Sequence, residues 1–187
     1  KGSIKLPKEI KSMKILLGSS KYSLGIGGIH STEKKQAIVP KDNEVLCDRD
    51  VASYYPAIIL NLRLYPKHLG TGFLDVYQDI VDERLKAKRS GNSLVNQSLK
   101  IVINGSFGKL GSKWSILYSP DLMMAVTMTG QLALLMLIER LEKAGISVIS
   151  ANTDGFVSIM DKSLYETYDD ICFQWELDTA FELEETR

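Results

Sequence analysis

Asp50-Val51-Ala52-Ser53-Tyr54-Tyr55-Pro56-Ala57-Ile58-Ile59 is the stretch on which the fold turns. Val45-Leu46-Cys47 ahead of it reads as the start of a buried strand running to Asp50, and Pro56 suits the opening of a short helix over residues 53–60. A second aspartate, Asp154, lies in Asn152-Thr153-Asp154-Gly155, between two short apolar runs at 147–150 and 155–159. Those runs predict a hairpin with a tight turn. If both strands belong to one sheet, Asp154 sits at the hairpin tip beside the end of the Asp50 strand. Between the aspartates, Lys100-x-x-x-Asn104-x-x-Phe107-Gly108 places four residues at i, i+4, i+7 and i+8, on one helix face. Two strand-borne carboxylates can gather divalent cations that activate a hydroxyl and neutralise a triphosphate. A lysine on a neighbouring helix can meet the same phosphates.

Outward from this frame, Phe73, Tyr77, Ile80, Val81 and Leu85 recur at helical spacing over 73–88, Ser90-Gly91-Asn92 interrupts, and a second helix is expected over 93–107. The two form an antiparallel helical hairpin. Trp114-Ser115-Ile116-Leu117-Tyr118 suggests a connecting strand, and a long helix is expected over 121–144, stopped by Gly145. Residues 1–43 read as irregular with short strands, Ile15-Leu16-Leu17 and Ala37-Ile38-Val39 being the apolar runs. Gly25-Ile26-Gly27-Gly28-Ile29-His30 within them is read first as a turn, and His30 as a structural or exposed histidine.

The chain has 187 residues, 44% of them hydrophobic and 25% charged, enough for one good core or for one domain with a smaller appendage. The apolar run 132–138 is closed by Glu139 and Arg140, so no membrane span and no membrane partner are expected, and Lys1 opens no signal peptide. Cys47 and Cys172 lack paired spacing, which argues against a disulfide framework or zinc site and for reduced thiols in a cytoplasmic protein. Net charge is zero, yet Arg84, Lys86, Lys88, Arg89, Lys100, Lys109 and Lys113 follow one another with no acidic residue among them. Such a stretch is either a solvated helix face or a phosphate-binding surface; its place beside the Lys100 helix favours phosphate.

In order and spacing, the three segments resemble the three polymerase motifs of family B DNA polymerases, most closely the phage members. The Asp50 segment is similar to Asp-x-x-Ser-Leu-Tyr-Pro-Ser-Ile-Ile, the Lys100 segment to Lys-x-x-x-Asn-Ser-x-Tyr-Gly, and the Asp154 segment to Tyr-Gly-Asp-Thr-Asp-Ser. The resemblance implies an α+β fold: a palm of small antiparallel sheet backed by helices, with a helical-hairpin fingers subdomain. Its expected divisions are 1–45, a lead-in with a template-contacting Gly-Gly turn, then 46–72 in the palm, 73–108 in the fingers and 109–187 in the palm again. It also implies a DNA-directed DNA polymerase of phage replication, working with two Mg2+ ions, or Mn2+ in their stead, on primer-template DNA and deoxynucleoside triphosphates. Asp50, Val51 and Asp154 would hold the metals. Asp50, Asp154 and Lys100 would be catalytic, while Ser53, Tyr54, Tyr55, Arg84, Lys88, Lys100, Asn104 and Phe107 would bind the nucleotide. Tyr55 would exclude a 2′-hydroxyl, and Gly27, Gly28, Gly108 and Lys109 would touch DNA.

The family's exonuclease and thumb modules are expected outside this chain, and the segments 56–73 and 109–118 are too short for the insertions of protein-primed members. A nucleic-acid primer follows. Asn152 stands where the family usually has an aspartate, Phe107 where it usually has tyrosine and Gly105 where it usually has serine. Asp48, two residues before Asp50, is expected to serve at most in a local pairing. The rival readings are another palm-type nucleotidyl transferase, such as a reverse transcriptase, and a non-catalytic DNA-binding remnant.

Overall fold

The computed structural model describes residues 5, 7–33 and 37–186. The fold is α+β, and the chain forms two compact units, one of residues 1–54 with 127–187 and one of residues 55–126.

The first unit is built on a seven-stranded sheet in the order β1-β2-β3-β5-β6-β4-β7, every pairing antiparallel. The strands are β1 (Ile15–Leu17), β2 (Ser20–Leu24), β3 (Ile29–Thr32), β4 (Glu44–Val51), β5 (Ser147–Asn152), β6 (Gly155–Asp161) and β7 (Leu183–Glu185). The lead-in carries short strands, as expected at Ile15-Leu16-Leu17, but they belong to the main sheet: after a short helix α1 (Lys8–Ser12) it supplies three of them, with Gly18 at φ 56° making the β1–β2 turn. Ala37-Ile38-Val39, by contrast, is not a strand.

Period-two alternation decides which face of the sheet is covered. On β4, Cys47 and Val51 are buried while Leu46 and Asp50 are exposed. Arg49 shares the covered face with Cys47 and Val51; its guanidinium lies 4.7 Å from the Tyr168 ring centroid and 2.5 Å from Asp169. Those partners lie on α6 (Tyr165–Thr179), a helix not anticipated in the acidic tail, although Tyr168, Cys172 and Trp175 recur at helical spacing and are buried. Trp175 donates its Nε1–H to the Ala133 carbonyl (2.8 Å), and Arg140 pairs with Asp178 (2.7 Å). These bonds tie α6 to the later part of α5 (Pro120–Lys143). Burial of Tyr22, Phe156, Leu134, Leu137, Ile138, Tyr168 and Trp175 supplies the core, at about 1.5–3 kcal/mol for each large apolar side chain.

By length and composition α5 is apolar enough to cross a membrane, contrary to the expectation from Glu139 and Arg140. Both charges fall near its C-terminal end, leaving 122–138 without one. Half of its apolar window is buried inside the protein, as a core helix requires.

The second unit is helical. In it lie most of α2 (Tyr54–Asn61), all of α3 (Gly72–Arg89) and α4 (Ser93–Leu110), and the start of α5. Leu74, Tyr77 and Val81 of α3 and Ile103 and Leu110 of α4 are buried. Gly91 at φ 73° turns the chain between them, and the Asn92 side chain caps α4 by accepting from the Val95 amide at 3.2 Å. The expected strand at 114–118 is instead a loop of turns. Its aromatic and branched residues mimic a strand composition, but Ser115 and Tyr118 donate their amides to the Ser112 and Ser115 carbonyls, closing turns where a ladder would need free groups.

Both cysteines are free thiols, 4% and 1% exposed. Burial pushes both thiols up from 9.0, Cys172 to about 11. At pH 8, iodoacetamide is therefore expected to label neither cysteine in the folded chain and both in denaturant; rapid native labelling would contradict this burial. A raised thiol contributes stability in full below its unfolded value, and that contribution is lost as pH rises toward 11.

Candidate active site

Antiparallel pairing of β4 with β6 sets Asp50 opposite Gly155, the residue after Asp154. The Val51 amide donates to the Asp154 carbonyl at 2.8 Å, so the hairpin tip is bonded to the end of β4. A Cβ on Gly155 would stand 2.0 Å from Asp50 Oδ1, so a side chain there would push the Asp50 carboxylate out of its present position. Thr186 donates its hydroxyl to Asp50 Oδ2 at 3.2 Å, and both Asp50 and Asp154 are exposed. The sheet therefore gathers three of the expected residues, Asp50, Val51 and Asp154.

Asp48 lies on the same face, two residues earlier. Burial, and next the charge of Asp50, push its carboxyl up. Glu184 of β7 is the residue directly opposite Asp50 on the other side, an acidic neighbour that the sequence reading missed because β7 is only three residues long.

Among the described residues no group of three or more His, Cys, Asp or Glu side chains is assembled to hold a metal. Mg2+ is held by one or two carboxylates and completes its shell with water and substrate phosphates. Asp50, Asp154 and the Val51 carbonyl are the hard oxygen donors that fit it.

The hairpin tip is strained and held. Thr153 has φ 60°, a conformation that a β-branched residue rarely adopts. Its amide donates to the Ile29 carbonyl at 2.8 Å. Gly28, at φ 156°, packs so closely that a Cβ would lie 2.9 Å from Thr153 Cα. Gly28 thus has an internal reason to be glycine, whereas a Cβ on Gly27 would meet nothing within 4 Å. The glycine turn is in its own right clamped by Gln131 of α5, 1% exposed, whose Oε1 accepts from the Gly25 amide (2.9 Å) while its Nε2 donates to the Gly25 carbonyl (3.0 Å) and the Thr127 carbonyl (3.1 Å). Gln131 was not singled out from the sequence. A lone glutamine in an apolar helix was the available signal, since a buried amide must find partners.

Ser53, between β4 and α2, has φ 48°, a second strained position next to the carboxylates in sequence. Tyr54 is a core residue: its hydroxyl donates to the Gly130 carbonyl at 2.6 Å and its ring meets Phe181 edge-on at 5.2 Å. Only its backbone is left for the nucleotide-binding role expected of it.

The other expected residues belong to the helical unit. Lys100, Asn104 and Gly108 are exposed on α4, and half-buried Phe107 meets Tyr55 with ring centroids 4.2 Å apart at 34°. Tyr55 and Phe107 therefore make one aromatic surface flanked by Lys100 and Asn104. Arg84 of α3 donates Nε–H to Asn96 Oδ1 of α4 at 3.2 Å, and Lys88 and Lys109 are exposed. The unit 55–126 carries nine Lys and Arg against five Asp and Glu, so the neutral chain conceals a net positive unit.

No protein-family model matches the chain. It is similar to DNA polymerase II of Escherichia coli (strain K12), 30% identical over 129 residues, with 56% of this chain and 16% of that protein covered. In fold it is similar to the family B DNA polymerase from the hyperthermophilic archaeon Pyrobaculum calidifontis, at a TM-score of 0.56 and 16% identity over 83% of this chain and 26% of that one. The chain thus spans well under half the length of either protein.

Proposed function

We propose that this chain is the palm and fingers portion of a family B DNA polymerase of phage type, adding deoxynucleotides to the 3′-hydroxyl of a primer paired to template DNA. The observation that carries this is the bonding of the Asp154 turn to the end of the Asp50 strand, through Val51 and opposite Gly155. It joins the two aspartates of separate motifs at neighbouring strand ends within one sheet. The sheet unit would be the palm and the helical unit 55–126 the fingers.

Asp50, Asp154 and the Val51 carbonyl would hold Mg2+, which when bound lowers the pKa of the attacking hydroxyl and neutralises the departing pyrophosphate. The residues of the chain do the positioning. Backbone amides at Ser53, Tyr54 and Tyr55 donate to the triphosphate; Lys100 offsets its charge, helped by Arg84 and Lys88. The Tyr55 ring occupies the space that a 2′-hydroxyl would need, and the neighbouring Phe107 ring supports the nascent base pair with Asn104. Gly27, Gly28, Gly108 and Lys109 line the path of DNA. Exonuclease and thumb functions would be supplied by the same or another chain.

Single-turnover extension of a DNA primer with the protein in excess tests this. Weak Mg2+-dependent deoxynucleotide incorporation is expected opposite DNA; a preference for an RNA template would mark another palm-type transferase. Asn152, a neutral amide in place of an aspartate, favours the second reading of a non-catalytic remnant, which predicts no incorporation with Mg2+ or Mn2+.

Gly108 offers a separate check. A Cβ there would meet nothing within 4 Å, so the protein's own packing does not demand glycine at this place in α4. Gly108→Ala is expected to stabilise the helix by about 0.5–1 kcal/mol while weakening primer-template binding. Tighter or unchanged DNA binding by the stabilised variant would remove Gly108 from the DNA path.

A further inference from the structure

Residues 101–108 of α4 read Ile-Val-Ile-Asn-Gly-Ser-Phe-Gly, a stretch without a strong helix former: three are β-branched, two are glycine, and the rest are asparagine, serine and phenylalanine. The helix they adopt is therefore imposed by their surroundings, which grip it lightly. Ile103 is buried, Ser106 and Phe107 are half-buried, and the other residues of the stretch are exposed, Ile101 by 73%. Cβ atoms at Gly105 and Gly108 would meet nothing within 4 Å, so neighbouring elements leave both positions open. Ser106 turns its hydroxyl back to donate to the Val102 carbonyl (2.7 Å), a back-bond that slightly destabilises a helix. Weak propensity and few buried contacts mark a segment that opens locally with little free energy.

Asn104 and Gly105 lie at its centre, and of the six asparagines in the chain Asn104 is the one followed by glycine. Glycine has no side chain to shield its own backbone nitrogen. An intact helix protects the pair, because it commits the residue 105 amide to the carbonyl four residues back and fixes the backbone between the two groups. An opened helix does neither.

We infer that Asn104 is a self-modification site gated by local opening of the second half of α4. In the opened segment the Gly105 nitrogen attacks Asn104 Cγ. The new C–N bond closes a cyclic imide, the Cγ–Nδ2 bond breaks, and ammonia leaves with the proton that the amide gives up. Water then opens the imide at either carbonyl, leaving aspartate or isoaspartate. Both products alter the nucleotide-binding face proposed above, and this consequence alone rests on that reading. A carboxylate at 104 falls four residues from Lys100 and pairs with its ammonium, the cation assigned to the triphosphate. Isoaspartate adds a carbon to the backbone and breaks the hydrogen-bond ladder of α4.

The test does not depend on catalysis. The folded chain and a urea-denatured sample are held at pH 8 and digested with trypsin, and peptide 101–109 is resolved into its asparagine, aspartate and isoaspartate forms by chromatography and mass spectrometry. Conversion is expected in both, about ten- to thirtyfold slower in the folded chain. Gly108→Ala keeps the Asn-Gly pair but strengthens the helix, so it should slow conversion of the folded chain by about two- to fivefold and leave the denatured rate unchanged. A folded chain still unconverted after about a hundred denatured-state half-lives would overturn the inference, as would a folded rate equal to the denatured one or unmoved by Gly108→Ala. Absent conversion with primer extension intact would sink this inference alone. Conversion as expected, with extension by the converted chain unchanged, would support the opening of α4 and remove Lys100 and Asn104 from the nucleotide.

Discussion

Asp50→Asn and Asp154→Asn are each expected to lower single-turnover incorporation by on the order of 10³-fold or more, equivalent to roughly 4 kcal/mol of transition-state stabilisation. Each change removes one negative charge and little else. Asparagine at 50 can still accept the Thr186 hydroxyl, and the bond that holds the hairpin to β4 uses the backbone carbonyl of residue 154 rather than its side chain. Both side chains are exposed, so their neutralisation leaves no buried charge without a partner. Folding should therefore persist, and loss of a charge beside Asp48 even relieves a repulsion. The check is incorporation measured alongside circular dichroism and a thermal midpoint. Activity within tenfold of the original in either variant, with folding intact, would deny that carboxylate a place in the chemistry.

Gln131→Leu is expected to have the largest effect on stability. The buried amide bonds both polar groups of Gly25 and the Thr127 carbonyl, and leucine, of similar size, would take the side-chain partner from the half-buried Gly25 carbonyl and leave the Gly25 amide only the Gly28 carbonyl, at 3.0 Å. A cost of about 1–3 kcal/mol follows, lowering the thermal midpoint by about 2–12 °C for a chain of this size. The effect should reach the candidate site as well, because the Gly25–Gly28 turn supports strained Thr153 one residue before Asp154. Amide exchange at Thr153 and Gly25 would accelerate together. An unchanged midpoint would show that the clamp is not a structural support.

What the sequence disclosed is what local pattern encodes. The buried run ahead of Asp50, the hairpin around Asp154 and the helical spacing from Phe73 to Leu85 each repeat at the period of their own element, and each formed within a few residues of expectation. Trp114 to Tyr118 misled because composition resembled a strand while the backbone was taken up by turns. The joining of the lead-in strands to the rest of the sheet, β7 and the Gln131 clamp depend on partners more than a hundred residues away: Gly25 with Gln131, His30 with Asn152, Asp50 with Glu184. Such partners leave no periodicity at either end. Helix α6 was legible in Tyr168, Cys172 and Trp175 but was obscured by the acidic residues around them. At the candidate site the pairing of Asp50 with Gly155 could be anticipated from the motifs, whereas the strain at Ser53 and Thr153 requires backbone angles to be seen.

The central claim is that Asp50 and Asp154 share a divalent cation, and paramagnetic broadening of backbone amide signals by Mn2+ tests it most directly. Substoichiometric Mn2+ should broaden residues around Asp50 and around Asp154 together, with Mg2+ competing, and either asparagine substitution should abolish broadening at both places. Broadening confined to one aspartate, or surviving the loss of the other, would contradict a shared site.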